Sequence, residues 1–287
     1  MNLNHFGMDT ITLAGTLEAK LAAVKKAGFT EIMLSARDIA GHPDGYDVAV
    51  KAVKDSGLDV TGFQVLRDFE GLSGDLKGYK LEIAKHMLQM CHDVGSQLLL
   101  VCSSTSKHAD GDIELIAEDL KRLAMLAVPL NIRVAYEALS WGRYVNQYPQ
   151  SWDVVALADA PNLGVGLDSF HIFAHSSDLS DLDYIDPEKI FFVQLSDFMW
   201  RETRTPEERI ETARHMRVFP GEGAHSEDLL ALVRKLDNLG YDGKYSFEVF
   251  NDDYQQLPPG VVTKRAMDSA KWVMEKALRR YLPLPKA

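Results

Sequence analysis

Short apolar runs alternate with longer amphipathic stretches along nearly the whole chain, and the residues between them recur in a regular way. His5-Phe6-Gly7-Met8 reads as a first strand. Thr16 stands where an N-cap belongs, ahead of Leu17, Leu21 and Val24 on one helical face. Gly28 closes that helix in the left-handed C′ position, and Glu31–Leu34 follows as a strand. The grammar repeats. A helix over Val48–Ser56 stops at Gly57, and Leu58–Gln64 is a strand. A helix from Tyr79 to Val94 stops at Gly95, and Gln97–Cys102 is a strand. A helix over Ile113–Val128 leads into Ile132–Glu137, and one over Leu229–Leu239, ended by Gly240, leads into Tyr245–Val249. Phe170–Leu182 is polar and has room for a short helix only, whereas Val261–Leu282 supplies a long final one. The Pro-rich tail Tyr281–Ala287 is expected to pack loosely on the surface.

Eight strands result, near residues 6, 32, 61, 100, 135, 165, 192 and 247. Strand–helix alternation implies parallel strands joined by right-handed crossovers. Eight such units match a closed (β/α)8 barrel, the TIM barrel, better than an open sheet. The 287 residues suit a fold that needs roughly 250. The strands are apolar on both faces, as expected where helices cover one side and the barrel core the other. No linker or low-complexity run interrupts the chain, so residues 1–287 are read as one α/β domain.

In a parallel barrel all strand C-termini open on one mouth, where this fold carries activity. Four consecutive strands, the fifth to the eighth, close an apolar run with an oxygen-bearing residue: Arg133–Glu137, Leu163–Asp168, Ile190–Gln194 and Lys244–Glu248. Any one of these is an ordinary polar residue at a strand end. On neighbouring staves, Glu137, Asp168, Gln194 and Glu248 converge into an oxygen cage. Three carboxylates so close repel one another unless a cation sits among them. Hard oxygen ligands point to one divalent ion, Mg²⁺, Mn²⁺ or Co²⁺, in preference to zinc.

Other groups can act at the same mouth. His171 lies three residues past Asp168 and is placed as a general base or a further ligand. His175 is set further out, and His86 and His92 fall within a helix as structural residues. Arg67, after the third strand, and Arg217, in Arg217-Val218-Phe219-Pro220-Gly221-Glu222-Gly223, are candidates to clamp a carboxylate bidentately. The alternative for each is a surface arginine in an ion pair. Asp197–His225 is a long connection of the kind that is usually functional or disordered. Its charged middle, Arg201–Arg214, fits a helical lid and a solvated surface helix equally well. Trp141 and Tyr144 follow the fifth strand and serve either as a pocket wall or as packing.

Composition narrows the function classes. Apolar residues make up 46% and charged residues 25%, ordinary for a soluble globular protein. The formal net charge is −11 and the pI about 5.3, the wrong sign for a nucleic-acid groove. No apolar stretch approaches a membrane span of ~20 residues. The two cysteines, Cys91 and Cys102, show no redox or zinc spacing and are read as reduced thiols. With no basic-then-apolar segment at the N-terminus, a cytoplasmic location is expected. The expected partner is a small-molecule substrate, with no nucleic acid and no membrane. A homo-oligomer is left open.

The strand-end Glu, Asp, Gln and Glu, with the Arg217–Gly223 run, resemble the sugar phosphate isomerase/epimerase superfamily, the xylose isomerase-like barrels, over nearly the whole chain. In that superfamily the pattern is a divalent-metal cage, which maps here to Glu137, Asp168, Gln194 and Glu248. Leu66–Gly71, Leu100–Ser104, Leu167–His171 and Val193–Asp197 are similar to one branch, the bacterial 3-dehydroshikimate dehydratases. Members of that branch often carry a second, C-terminal domain similar to hydroxyphenylpyruvate dioxygenase, and the present sequence corresponds to the barrel.

The resemblance implies a hydro-lyase of quinate and shikimate catabolism that converts 3-dehydroshikimate to protocatechuate through a metal-stabilised enolate. His171 is expected as the base, Glu137 and Glu248 as catalytic ligands, and Arg67, Arg217, Ser103 and Ser104 as substrate-binding residues. A histidine two residues past the first glutamate, found in many sugar epimerases, is Leu139 here, which argues against a ketose 3-epimerase. A sugar or keto-inositol isomerase or epimerase using the same cage stays open as the alternative. A nuclease of the endonuclease IV type is disfavoured by charge and by the scarcity of histidines at strand ends. A non-catalytic barrel is disfavoured by the intact cage.

Overall fold

The alternation along the strands builds two apolar layers, one inside a closed barrel and one between barrel and helices. The computed structural model describes residues 3–277. The chain runs through β1 (Phe6–Asp9), β2 (Glu31–Ser35), β3 (Asp59–Arg67), β4 (Leu98–Cys102), β5 (Arg133–Glu137), β6 (Leu163–Asp168) and β7 (Ile190–Leu195). Two short strands outside the barrel follow, β8 (Asp197–Phe198) and β9 (Arg217–Val218), and then β10 (Tyr245–Phe247). The barrel closes in the order β1-β10-β7-β6-β5-β4-β3-β2, with every neighbouring pair parallel. The eight-stranded (β/α)8 barrel expected from the sequence is therefore the observed architecture.

Helices lie between the strands: α1 (Leu17–Ala27), α2 (Ala36–Ala40), α3 (Tyr46–Ser56), α4 (Gly74–Asp93), α5 (Ile113–Ala127) and α6 (Tyr148–Ala158). They continue as α7 (Ser169–Ala174), α8 (Pro206–His215), α9 (Ser226–Leu239) and α10 (Pro259–Ala277). Thr16 caps α1 through a hydroxyl that accepts from the Ala19 amide at 3.3 Å. Gly28, Gly57 and Gly240 end their helices at φ of 97°, 68° and 89°, where a side chain would be strained. The weak sixth unit holds only the six-residue α7 and a 3₁₀ turn at Leu179–Tyr184.

Three features differ from the sequence expectation. The helix expected from Tyr79 starts at Gly74, because Gly74 and Gly78 lower the local propensity without preventing the first turn. The third strand runs on past Gln64 to Arg67. The β8–β9 ladder, Asp197 opposite Val218 and Phe198 opposite Arg217, is too short to leave a periodicity in the sequence. Residues 278–282 of the expected last helix, and the Pro-rich tail, lie outside the described residues. Among the described residues no helix is long and apolar enough to cross a membrane.

The two layers fix which side chains face the mouth. Met33, Leu98, Leu100, Ala135 and Phe192 belong to the inner cluster, which Phe191 also joins. Leu99, Val101, Val134, Tyr136, Val193 and Leu195 face outward and join the large cluster under the helices. Glu137 follows Ala135 by two residues and Gln194 follows Phe192 by two, so the period of two turns both inward at the end of the core.

Candidate active site at the barrel mouth

Glu137, Asp168, Gln194 and Glu248 are all buried at the C-terminal mouth of the barrel. Asp168 is in register with Gln194, and Glu137 lies between Cys102 and Gly166. The structure thus gathers the four residues on one side of the barrel, but it partners them differently. Ligand atoms of Glu137, Asp168 and His171 lie within 4.8 Å of one another. Glu248 is held by an arginine. The side-chain nitrogen of Gln194 is turned toward Oε1 of Gln64 at 3.4 Å and Sδ of Met33 at 3.9 Å.

That arginine is Arg217. Expected as a clamp on a substrate, it lies instead within the site, 2% exposed. Its Nη1 donates to Oδ2 of Asp168 at 2.7 Å, to Oε2 of Glu248 at 3.2 Å and to Oγ of Ser196 at 3.2 Å. Its Nε donates to the Ala213 carbonyl at 2.9 Å, and the Phe170 ring lies 4.6 Å from the guanidinium carbon. The β8–β9 ladder supplies the placement, since Arg217 is a ladder residue whose amide also donates to the Phe250 carbonyl. Part of the cation that the carboxylates require is therefore built into the chain. Burial alone would pull the Arg217 pKa down; the charges of Asp168 and Glu248 outweigh it and leave the pKa raised.

The carboxylates respond to the same environment. Burial raises the pKa of Glu137, and the charge of Asp168 raises it further while Arg217 opposes. Burial likewise raises Glu248 against the pull of Arg217. Oε2 of Glu137 is buried with no hydrogen-bond partner. Three carboxylates, Glu137, Asp168 and Glu248, against one guanidinium leave two formal negative charges when all are ionised. An unpartnered buried oxygen, a hard-oxygen donor set and this charge excess fit a divalent cation. The Glu137–Asp168–His171 cluster could hold one.

His171, expected at the mouth, is there, on α7 and fully enclosed. Its Nδ1 accepts from the Ser140 amide at 3.1 Å and lies 3.0 Å from the Ser140 hydroxyl. A backbone N–H cannot reverse its role, so the neutral imidazole carries its proton on Nε2. Nε2 points at Oε1 of Glu137 at 3.3 Å and Oδ2 of Asp168 at 3.6 Å. Burial pulls the His171 pKa down to about 4, so the ring is neutral near pH 7. In this state it stands beside the carboxylates as an N–H donor, whereas a metal ligand or a base needs a free Nε2. Trp141 packs edge-on against the ring at 5.0 Å, and Tyr144 sits on the surface.

Arg67 ends β3 beside Cys102 and is exposed. Among the described residues its side chain has no ion pair or hydrogen bond, while its charge still lowers the pKa of Glu137. Its backbone is held firmly by the segment that follows. Oδ1 of Asp68 accepts from the Thr105 amide at 2.8 Å, and Oε1 of Glu70 accepts from the Ser104 amide and from the Tyr136 hydroxyl at 2.9 Å. Ser103 and Ser104 are both buried and locally engaged. Oγ of Ser103 accepts from the Leu139 amide at 3.0 Å, and Oγ of Ser104 lies 3.5 Å from Asp68.

Sequence reasoning missed several residues here. Asp9 and Gln64 end or nearly end β1 and β3, and Gln64 donates to Oδ2 of Asp9. Extending the strand-end reading to the first and third strands would have found both. Glu70 and Ser140 lie in loops, and only the folded chain brings them to Tyr136 and His171.

A family model described as a xylose isomerase-like TIM barrel matches residues 21–275. The chain belongs to that family. It is 37% identical over 278 residues to a 3-dehydroshikimate dehydratase of Pseudomonas aeruginosa, covering 96% of this chain and 43% of that protein. It is 32% identical over 165 residues to an inosose isomerase of Halalkalibacterium halodurans, covering 55% of this chain and 53% of that one. Among solved structures, a xylose isomerase-like TIM barrel/4-hydroxyphenylpyruvate dioxygenase fusion protein superposes with a TM-score of 0.88 at 34% identity, covering 95% of this chain and 43% of that one. The chain spans less than half the length of the curated dehydratases it matches first.

Proposed function

We propose that the barrel dehydrates 3-dehydroshikimate to protocatechuate. The observation that carries the reading is Arg67, an exposed guanidinium with no side-chain partner among the described residues, on the strand next to that of Cys102 and two strands from Glu137. A partnerless arginine above an oxygen-lined site suits a substrate that bears a carboxylate. The identity to dehydratases over nearly the whole chain supports the same substrate.

Glu137, Asp168, Gln194 and Glu248 would hold the divalent ion. When bound, such an ion supplies Lewis-acid stabilisation of the negative charge that develops on a carbonyl oxygen. The chain's own groups handle the protons. Elimination takes a proton from the carbon alpha to the ketone and expels the beta hydroxyl, which leaves as water once protonated. Nε2–H of His171 is the proton donor to the departing hydroxyl and is restored from Glu137, 3.3 Å away, once Glu137 has taken the carbon-bound proton, so His171 acts first as an acid and not as the base expected from its position alone. Glu137 is the acceptor for the carbon-bound proton, and its unpartnered Oε2 is the receiving atom. Loss of a second ring proton, matched by return of a proton to the ketone oxygen, then gives the aromatic product. Buried walls around the site, with Trp141 against His171, keep these transfers from bulk water.

The test is incubation of the chain with 3-dehydroshikimate and Mg²⁺, Mn²⁺ or Co²⁺, following the ultraviolet absorbance of the aromatic product. Growth that chelator abolishes is the expected result. The second reading, isomerisation of a sugar or keto-inositol, rests on the likeness to inosose isomerases. Turnover of an inosose with none of 3-dehydroshikimate would select it.

A further inference from the structure

Ser140 sits between the histidine of the site and the helix of the long connection. Its amide and hydroxyl both address Nδ1 of His171, at 3.1 and 3.0 Å. Its carbonyl faces the other way and accepts two hydrogen bonds, from Nη1 of Arg209 on α8 at 3.1 Å and from Nε2 of His175 at 2.8 Å. Arg209 Nη1 and His175 Nε2 lie 3.3 Å apart as two donors on one oxygen. Nε of Arg209 is buried without an acceptor. The guanidinium is thus held in an incompletely satisfied position, which solvation of a surface helix would not select.

We propose that Arg209 is a positioning residue for His171, acting through Ser140. The Ser140 amide and carbonyl lie in adjacent peptide planes hinged at its Cα, so donors that anchor the carbonyl limit how the residue can turn and thereby steady the amide and hydroxyl that meet Nδ1. With the Ser140 amide held toward Nδ1, the proton of His171 stays on Nε2, aimed at Glu137 and Asp168. Loss of the Arg209 bond leaves His175 alone on the carbonyl and loosens the residue, and the Ser140 hydroxyl, which can accept as well as donate, then tolerates a proton on Nδ1. α8 is on this account neither a detached lid nor an idle surface helix. It sets the tautomer of the site's histidine, and seating of α8 is required for the proton donor to be in register.

The proposal rests on the dehydratase reading only for its kinetic arm. In the first arm, the full chain labelled with ¹⁵N-histidine is examined metal-free by NMR at mildly alkaline pH. The His171 signals are identified by their loss in His171→Gln. Wild type is expected to show a proton on Nε2, Arg209→Met to show a population with the proton on Nδ1, and Arg209→Lys to restore the wild-type form. In the second arm, with 3-dehydroshikimate and Mn²⁺, Arg209→Met is expected to lower kcat about tenfold with KM little changed, and Arg209→Lys to recover most of it. A wild-type His171 protonated on Nδ1 overturns the proposal. So does an Arg209→Met variant with unchanged tautomer, or one in which KM alone rises. If Arg209→Met does not fold, the wild-type and Arg209→Lys spectra decide. Absence of dehydratase turnover in wild type would defeat the proposed reaction and leave the tautomer arm to judge Arg209.

Discussion

Nη1 of Arg217 lies 2.7 Å from Oδ2 of Asp168, with both side chains sealed from solvent. A buried pair of this kind gains its stability from mutual neutralisation, so loss of one member leaves the other charge uncompensated. Arg217→Met is expected to destabilise the metal-free chain by about 3–5 kcal/mol in denaturant unfolding. Mn²⁺ should recover part of that loss by supplying the missing positive charge. No recovery at saturating metal would mean that the carboxylates do not form a cation site.

Glu137 carries a raised pKa because burial and Asp168 both oppose its ionisation. Glu137→Gln removes a buried like charge. The metal-free variant is expected to be as stable as the parent or more so, by about 1 kcal/mol at neutral pH. The rise in melting temperature with Mn²⁺ should disappear. Wild-type stabilisation by Mn²⁺ in this variant would remove Glu137 from the ligand set.

Arg67 is exposed and makes no side-chain hydrogen bond or ion pair among the described residues. Arg67→Ala is expected to leave unfolding stability within about 0.5 kcal/mol. KM for 3-dehydroshikimate should rise on the order of 10- to 100-fold, the worth of a charge-assisted contact. An unchanged KM would favour a substrate without a carboxylate.

Glu70 is a buried carboxyl away from the carboxylates of the site, and burial pushes its pKa up to about 7 from 4.5. Its folded pKa lies above its unfolded one, so the protein keeps full stability below the unfolded value and loses it as pH rises through that window. Relative to Glu70→Gln, wild type should lose on the order of 3 kcal/mol between about pH 4.5 and pH 7 and little more above. Parallel pH profiles of unfolding free energy for the two proteins would refute this assignment.

Much of the barrel was legible in local chemistry. Thr16, Gly28, Gly57 and Gly240 mark helix ends because capping and positive φ are properties of a few residues each. Apolar runs mark strands for the same local reason. The strand-end oxygens were legible too, because parallel closure carries every strand C-terminus to one mouth. The shorter or irregular pieces were not. The β8–β9 ladder is stabilised by the docking of Arg217 rather than by any pattern within four residues, and α4 starts through glycines that propensity alone would exclude.

The sequence by itself determined the repeating strand–helix order, the inward period of two, and the presence of Glu137, Asp168, Gln194 and Glu248 at one end of the barrel. Those follow from hydrophobic burial and chain direction, which depend on residues close in the chain. Tertiary structure decided how the charges are shared. Arg217 reaches Asp168 across 49 residues of sequence, and Ser140 reaches His171 across 31. Electrostatic pairing and tautomer choice depend on distances of a few ångströms between remote segments, and only the folded chain sets those distances.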